Sequence, residues 1–359
     1  MTGGNMTHTH RHIVPPYLLA RLAQVEDPRF EEAATAARRS LERDDPFRGV
    51  RTSEPHPHRP LNGMRAESDA VTDHPDRTIG DAEHAEKVPG RVVRREGEPP
   101  TADAAVNEAY DGLGQTFELY WEQYQRSSID GRGLPLKATV HYGELYDNAF
   151  WDGEQMVFGD GDGQVFNRFT IAVDVIGHEL THGVTQATAG LAYEGQAGAL
   201  NESVSDVFGS LVAQHAKGQR ADQASWLIGE GLFTDQVQGV ALRSMKAPGT
   251  AYDDDVLGKD PQPDHMSGYV ETDDDNGGVH INSGIPNHAF YLVATAIGGH
   301  AWEQAGQIWY DALTGEDIPT NGTFAQFADA TIAAATARFG ADASQTSAVQ
   351  TAWRAVGVV

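Results

Sequence analysis

His178-Glu179-Leu180-Thr181-His182 sets two imidazoles four residues apart, a little over one helical turn. On a helix both rings project from one face. They can then reach one tetrahedral Zn²⁺ at about 2.0–2.1 Å. Glu179 follows His178 directly, so its carboxylate lies beside such a metal instead of binding it. That is the place of a base for a metal-bound water. A tetrahedral site of this kind needs a third ligand and an open fourth position. Asn201-Glu202-Ser-Val-Ser-Asp206 supplies it, with Glu202 and Asp206 again sharing one helix face. Glu202 completes a His₂Glu set. Asp206 can accept the far N–H of a ligating ring and fix its tautomer, and Asn201 stands with it behind the ligands. Apart from one another, these groups would read as solvated histidines and ordinary helical carboxylates.

The elements that must carry them are visible in the pattern. Residues 170–186 and 199–216 predict the two helices of the metal site, and 283–297 a third, with Ser283 at its N-cap and Gly298-Gly299 beyond its end. Residues 324–339 and 344–356 suggest two more, and 105–124 an earlier one. Residues 137–142 alternate like a strand. Residues 148–158 read as a hairpin turning at Asp152-Gly153. The fold class is therefore α+β, β-rich first and helical after. Residues 1–90 differ in composition. From Asp44 to Pro100 the chain is charged, proline-rich and aperiodic, and it reads as an exposed linker. Ahead of it, Pro15-Pro16-Tyr17-Leu18-Leu19 is an apolar island suited to one or two helical turns that dock elsewhere.

Composition narrows the function. The chain has 359 residues, 40% of them hydrophobic, enough for two packed domains and an extension. It has no cysteine, which excludes disulfides and thiolate metal sites. A net charge of −26 opposes nucleic-acid binding. No run of about 18 apolar residues offers a transmembrane helix. The first residues lack the continuous apolar stretch of a secretory signal, so the expectation is a cytoplasmic precursor, or export by another route. The alternation His8, His10, His12 is read as incidental.

Several motifs in order make residues 135–359 resemble the thermolysin-like zinc metallopeptidases. They are Asn148-Ala-Phe-Trp151, Gly159-Asp-Gly-Asp-Gly163, Asp174 through His182, Gly190-Leu-Ala-Tyr193, Asn201-Glu202 to Asp206, Leu242-Arg243-Ser-Met245, and Asp275-Asn-Gly-Gly-Val-His280-Ile-Asn-Ser-Gly284. Ile13-Val-Pro-Pro-Tyr-Leu-Leu and residues 102–110 are similar to the branch with short pro-segments, the protealysin type. The resemblance implies a pro-segment and linker over 1–90. It also implies a β-rich peptidase domain over 91–190 that ends in the zinc helix, and a helical domain over 191–359. It implies zinc on His178, His182 and Glu202, with Glu179 as general base. Tyr193 and His280 match the groups that meet the developing oxyanion, with Asp275 holding that histidine. Asn148, the carbonyl of Ala149 and Arg243 match groups that grip the substrate backbone. Phe166, Val175 and Leu242 match the lining of an apolar pocket for the residue after the scissile bond. The partners implied are peptide and protein substrates and the chain's own pro-segment. A protein inhibitor is a further partner to look for.

One departure bears on calcium. The family's double calcium site is built from acidic residues. Asp174 is retained and Glu230 aligns, but Ala213, Ser225 and Leu227 stand where carboxylates are expected. A hard cation takes about six to eight oxygen ligands, so the double site is not expected. Two rival readings are open to the same residues. An aminopeptidase needs an acidic anchor for a free α-amine, and no such motif is present. A non-catalytic zinc protein would be expected to lack Glu179 or His280, and both are present.

Overall fold

The computed structural model describes residues 11–48 and 72–359. An N-terminal arm comes first, made of β1 (Arg11–His12), α1 (Pro16–Leu22) and α2 (Glu31–Arg48). Pro16 is the first residue of α1, where its fixed φ and missing N–H cost nothing. Leu18, Leu19 and Leu22 are buried in the main core, so the apolar island docks as a helix.

A six-stranded sheet follows from β2 (Arg77–Asp81), β3 (Arg91–Arg95), β4 (Leu136–Val140), β5 (Ala149–Trp151) and β6 (Met156–Phe158), in the order β1-β5-β6-β4-β2-β3. β5 and β6 pair antiparallel as the expected hairpin, and Gly153 in its turn has φ +99°. The linker expected from Asp44 to Pro100 is corrected at both ends, since residues 44–48 belong to α2, with Asp44 buried, and strands lie ahead of Pro100. β2 lies parallel to β4 and antiparallel to β3, so the sheet begins ahead of residue 90. The charge that suggested solvent is paired and stacked. Arg77 binds Glu96 at 2.6 Å, and the guanidinium groups of Arg77 and Arg94 lie 3.7 and 3.6 Å from the ring centre of Tyr110. Residues 49–71 of that segment lie outside the described residues.

Behind the sheet lies α3 (Ala104–Tyr124), whose N-cap Asp103 accepts from the N–H groups of Ala105 and Val106. Then come α4 (Val173–Ala187) and α5 (Gly195–Lys217), packed closely on each other. Their approach depends on glycine. A Cβ on Gly209 would stand 2.4 Å from the carbonyl oxygen of Asp174, and one on Gly177 would stand 3.0 Å from Val212. Two short ribbons, β7 (Leu227–Ile228) with β8 (Arg243–Ser244) and β9 (Asp253–Asp254) with β10 (Gly258–Lys259), lead into the helical half. It comprises α6 (Asp275–Asn282), α7 (Gly284–Ile297), α8 (Gln304–Thr314), α9 (Phe324–Phe339) and α10 (Ser344–Ala355). Ser283 does not cap α7. Its backbone is helical because α6 runs into α7 without a break, and its hydroxyl donates to the carbonyl of His280.

His141, just after β4, ties three elements. One ring nitrogen meets Asp103 and the other Asp160, both at 2.8 Å. The hydrogen bond to Asp160 outweighs burial and, with Asp103, holds the ring's pKa at about 9. The folded value lies above the unfolded one of about 6.5. The stabilisation is therefore complete below about pH 6.5 and lost as pH rises through about 9. His141→Gln is expected to cost about 2 kcal/mol near pH 6 and much less near pH 10. Thermal unfolding of both proteins at the two pH values checks this. An equal deficit at both would rule out titration of His141 as the cause.

Candidate metal centre and substrate groove

α4 presents His178 and His182, and α5 presents Glu202 across the glycine-mediated contact. The two Nε2 atoms are 3.1 Å apart, and Glu202 oxygens lie 3.5 Å from His178 Nε2 and 3.4 Å from His182 Nε2. All three residues are fully buried and form the one group among the described residues with metal-ligand spacing. A tetrahedral ion with bonds of about 2.05 Å has ligand–ligand edges of about 3.3 Å. The observed triangle fits those edges.

The far side of each ligand is fixed. His178 Nδ1–H donates to Asp206 Oδ1 at 2.8 Å, and His182 Nδ1–H to Asn201 Oδ1 at 2.8 Å. Both Nε2 lone pairs therefore face the metal position. Asp206 in turn accepts from Arg243 Nε and Nη2 at 2.9 and 2.8 Å, and from Asn287 Nδ2 at 2.8 Å. Burial would raise the Asp206 pKa, but Arg243 and His178 overcome it and hold the carboxylate well below the ordinary range. Sequence reasoning missed Asn287 and Ser205, whose Oγ is 3.0 Å from His182 Nδ1. The one signal for Asn287 is a polar residue in a mostly apolar helix, and Ser205 lies among the polar residues around Glu202 with nothing to single it out. Glu179 is also fully buried, and its Oε2 accepts from the backbone N–H of Trp151 on β5.

His280 and Tyr193 complete the metal side. Residues 275–278 adopt left-handed φ of 53°, 52°, 86° and 72°, which Asp, Asn and Gly tolerate best. This turns Asp275 onto His280, where it accepts from ring Nδ1–H at 2.7 Å and from the backbone N–H at 3.0 Å. Burial opposes the charged ring, but Asp275 and Glu202 prevail and hold its pKa at about 9. His280 Nε2 lies 3.4 Å from the hydroxyl of Tyr193, and that hydroxyl donates to Glu202 Oε1.

The groove between β5 and this centre is filled by the arm. β1 pairs antiparallel with β5, placing His12 opposite Phe150. Ile13 N–H donates to the Ala149 carbonyl at 3.1 Å, and Val14 N–H to Asn148 Oδ1 at 3.0 Å. Arg243 Nη1 donates to the Ile13 carbonyl at 3.1 Å, and His280 Nε2–H to the His12 carbonyl at 2.9 Å. Asn148, Ala149 and Arg243 thus converge on one stretch of backbone. Ile13 is fully buried in the apolar core that also contains Phe166, Val175 and Leu242. From α2, Asp44 accepts from Asn148 Nδ2 and from the hydroxyl of Tyr146. His12 packs on Phe150, while His8 and His10 lie outside the described residues.

The residues weighed for calcium lie together elsewhere. Asp174, Ala213, Ser225, Leu227 and Glu230 line one cavity of about 320 Å³, with Lys217 also on its wall. Burial raises the Asp174 pKa to about 6, and its Oδ2 accepts from Gly229 N–H. Asp254 accepts from the backbone N–H groups of Gln238, Val256 and Leu257, so its carboxylate is engaged in the turn of the β9–β10 ribbon.

Residues 67–186 match the family model "Thermolysin metallopeptidase, catalytic domain", and residues 189–358 match "Thermolysin metallopeptidase, alpha-helical domain". An extracellular metalloprotease of Pectobacterium carotovorum subsp. carotovorum is 51% identical over 346 residues, 96% of each chain. A thermolysin of Alicyclobacillus acidocaldarius is 42% identical over 263 residues, 71% of this chain and 46% of that protein. Among solved structures, the protealysin precursor of Serratia proteamaculans superposes with a TM-score of 0.87 at 50% identity, covering 97% of this chain and all of that one.

Proposed function

The chain belongs to the thermolysin metallopeptidases, and we propose that it is a neutral zinc endopeptidase cutting before apolar residues, held in check by its own N-terminal arm. The observation that carries this reading is the polarity of the arm. Its backbone runs along the sheet edge as a peptide substrate would, with Ile13 in the place of the residue after the scissile bond and the His12 carbonyl against His280.

His178, His182 and Glu202 would hold the zinc, which when bound lowers the pKa of water and polarises a carbonyl. This chain's own groups do the rest. Asn148, the Ala149 carbonyl and Arg243 hold the substrate backbone extended. The pocket of Phe166, Val175 and Leu242 takes the apolar side chain. Glu179 accepts the proton of the attacking water and passes it to the leaving amine. Tyr193 and His280, the latter steadied by Asp275, donate hydrogen bonds where negative charge develops on the carbonyl oxygen. Asp206 and Asn201 keep the ligating rings in the tautomer that binds metal.

No double calcium site is proposed. The cavity that would house it offers two carboxyl groups, and Lys217 brings positive charge to its wall. An external protein inhibitor would have to take the strand position that β1 holds. The relatives described as extracellular support action of the released enzyme outside the cell. Among the described residues no helix is long and apolar enough to cross a membrane.

The test is hydrolysis of casein or a furylacryloyl peptide by the purified chain before and after the arm is released, with zinc quantified. Release is expected to switch hydrolysis on, chelation to abolish it and zinc to restore it. A released, zinc-replete chain that cuts neither substrate would end the peptidase reading.

A further inference from the structure

We propose that Asp147 and Asp162 form a buried acid pair sharing one proton, which ties the segment carrying Asn148 into β5 to the loop carrying Phe166 and so sets the spacing between backbone grip and apolar pocket. The inference rests on the roles proposed above for Asn148 and Phe166.

Asp147 is fully buried and Asp162 is 7% exposed. Both oxygens of Asp147 and Oδ2 of Asp162 have no well-formed hydrogen bond, although the backbone N–H of Asp162 approaches Asp147. Inside a protein, carboxylate oxygens left without donors are strongly disfavoured. The remaining oxygen, Asp162 Oδ1, is well supplied, accepting from the N–H groups of Gln164 and Val165 at 2.6 Å each. The orphaned atoms belong to two side chains that face each other. A single proton pairs two of these three atoms, since one carboxyl then donates to the other, and it removes one of the two buried charges. Burial and the charge of Asp162 push the Asp147 carboxyl well above the ordinary range, in agreement with that geometry. Arg43 of α2 faces the pair and works the other way. Of the other charged groups on these elements, Asp160 is engaged by His141 and Asp44 by Tyr146 and Asn148.

The placement gives the pair its task. Asp147 directly precedes Asn148, and Asp162 folds the turn that leads into Phe166. Two backbone bonds already join the segments, Gly159 N–H to the Asn148 carbonyl at 3.0 Å and Gly161 N–H to the Tyr146 carbonyl at 3.4 Å. The shared proton adds the side-chain tie. Loss of that proton puts two negative charges in one buried site and pushes loop and strand apart. Asp147 and Asp162 are therefore positioning residues, acting on substrate through Asn148 and Phe166.

The test compares wild type with Asp147→Asn, Asp147→Ala and Asp162→Asn in the full chain. Infrared spectra of wild type are expected to hold the C=O stretch of a buried protonated carboxyl above neutral pH, and both asparagine variants are expected to lack it. In peptide hydrolysis by the activated chain, Asp147→Ala is expected to raise KM about tenfold with little change in kcat, the effect of one buried group left unpaired. Asp147→Asn keeps a donor and is expected to rescue KM and to hold it at alkaline pH, where wild-type KM climbs. Absence of the band in wild type overturns the proposal. So does an Asp147→Asn variant as impaired as Asp147→Ala, which would mean packing alone, or a second cation in metal analysis that leaves with Asp147. The band is read without turnover. A chain that shows it yet cuts no peptide therefore keeps the pair and loses the peptidase reading.

Discussion

Glu179→Ala is expected to retain a full complement of zinc and to lose peptide hydrolysis by about 10³-fold or more. The carboxylate is fully buried, stands one residue from a metal ligand and is absent from the ligand triangle, so its removal leaves all three ligands in place. Its loss takes away the base for the water and the acid for the amine, each a step in which a placed side chain contributes about 10²–10⁴. The effect should fall on kcat, because the groups proposed to hold the substrate backbone are untouched. Metal analysis beside steady-state kinetics checks it. A variant that loses zinc along with activity would make Glu179 part of the metal site and not its base.

Ile13→Asp is expected to unlatch the arm in an uncut chain. Ile13 is fully buried, and its backbone is held by Ala149 and Arg243. A carboxylate there finds no charge partner of its own, and burying it unpaired costs about 3–5 kcal/mol. That weakens docking by at least about 10²-fold. The intact chain, its length verified by mass, should then hydrolyse peptides that uncut wild type leaves alone. Ile13→Val preserves the apolar contact and should stay latched. An Ile13→Asp chain that is folded, uncut and still silent would show that Ile13 does not hold the latch.

The metal centre was legible because it is local in sequence. His178 with His182, and Glu202 with Asp206, each sit one turn apart, so spacing alone puts each pair on a helix face. The support behind them was not. Asn287 reaches Asp206 from a helix 81 residues away, and only the packing of α7 on α5 brings it there. The same limit concealed β2 and β3. Their strands are short and half exposed, and arginines that look like linker charge are stacked on Tyr110 and paired with Glu96. Arg243 shows the reverse case. The resemblance assigns it to substrate, whereas the structure also makes it the partner of Asp206, so one guanidinium joins groove and metal site.

β1 is an edge strand borrowed from outside the catalytic sheet, and its departure leaves the outward-facing N–H and C=O groups of β5 without a ladder partner, while β6 keeps the other side paired. An edge of that kind accepts a chain only in extended form, with its own backbone unpaired. Helices and internal strands of folded proteins have none to offer. The enzyme therefore selects by conformation before it selects by side chain. Under the proposed function its preferred targets are expected to be loops, termini and unfolded chains, with the folding stability of a protein as its first protection from being cut.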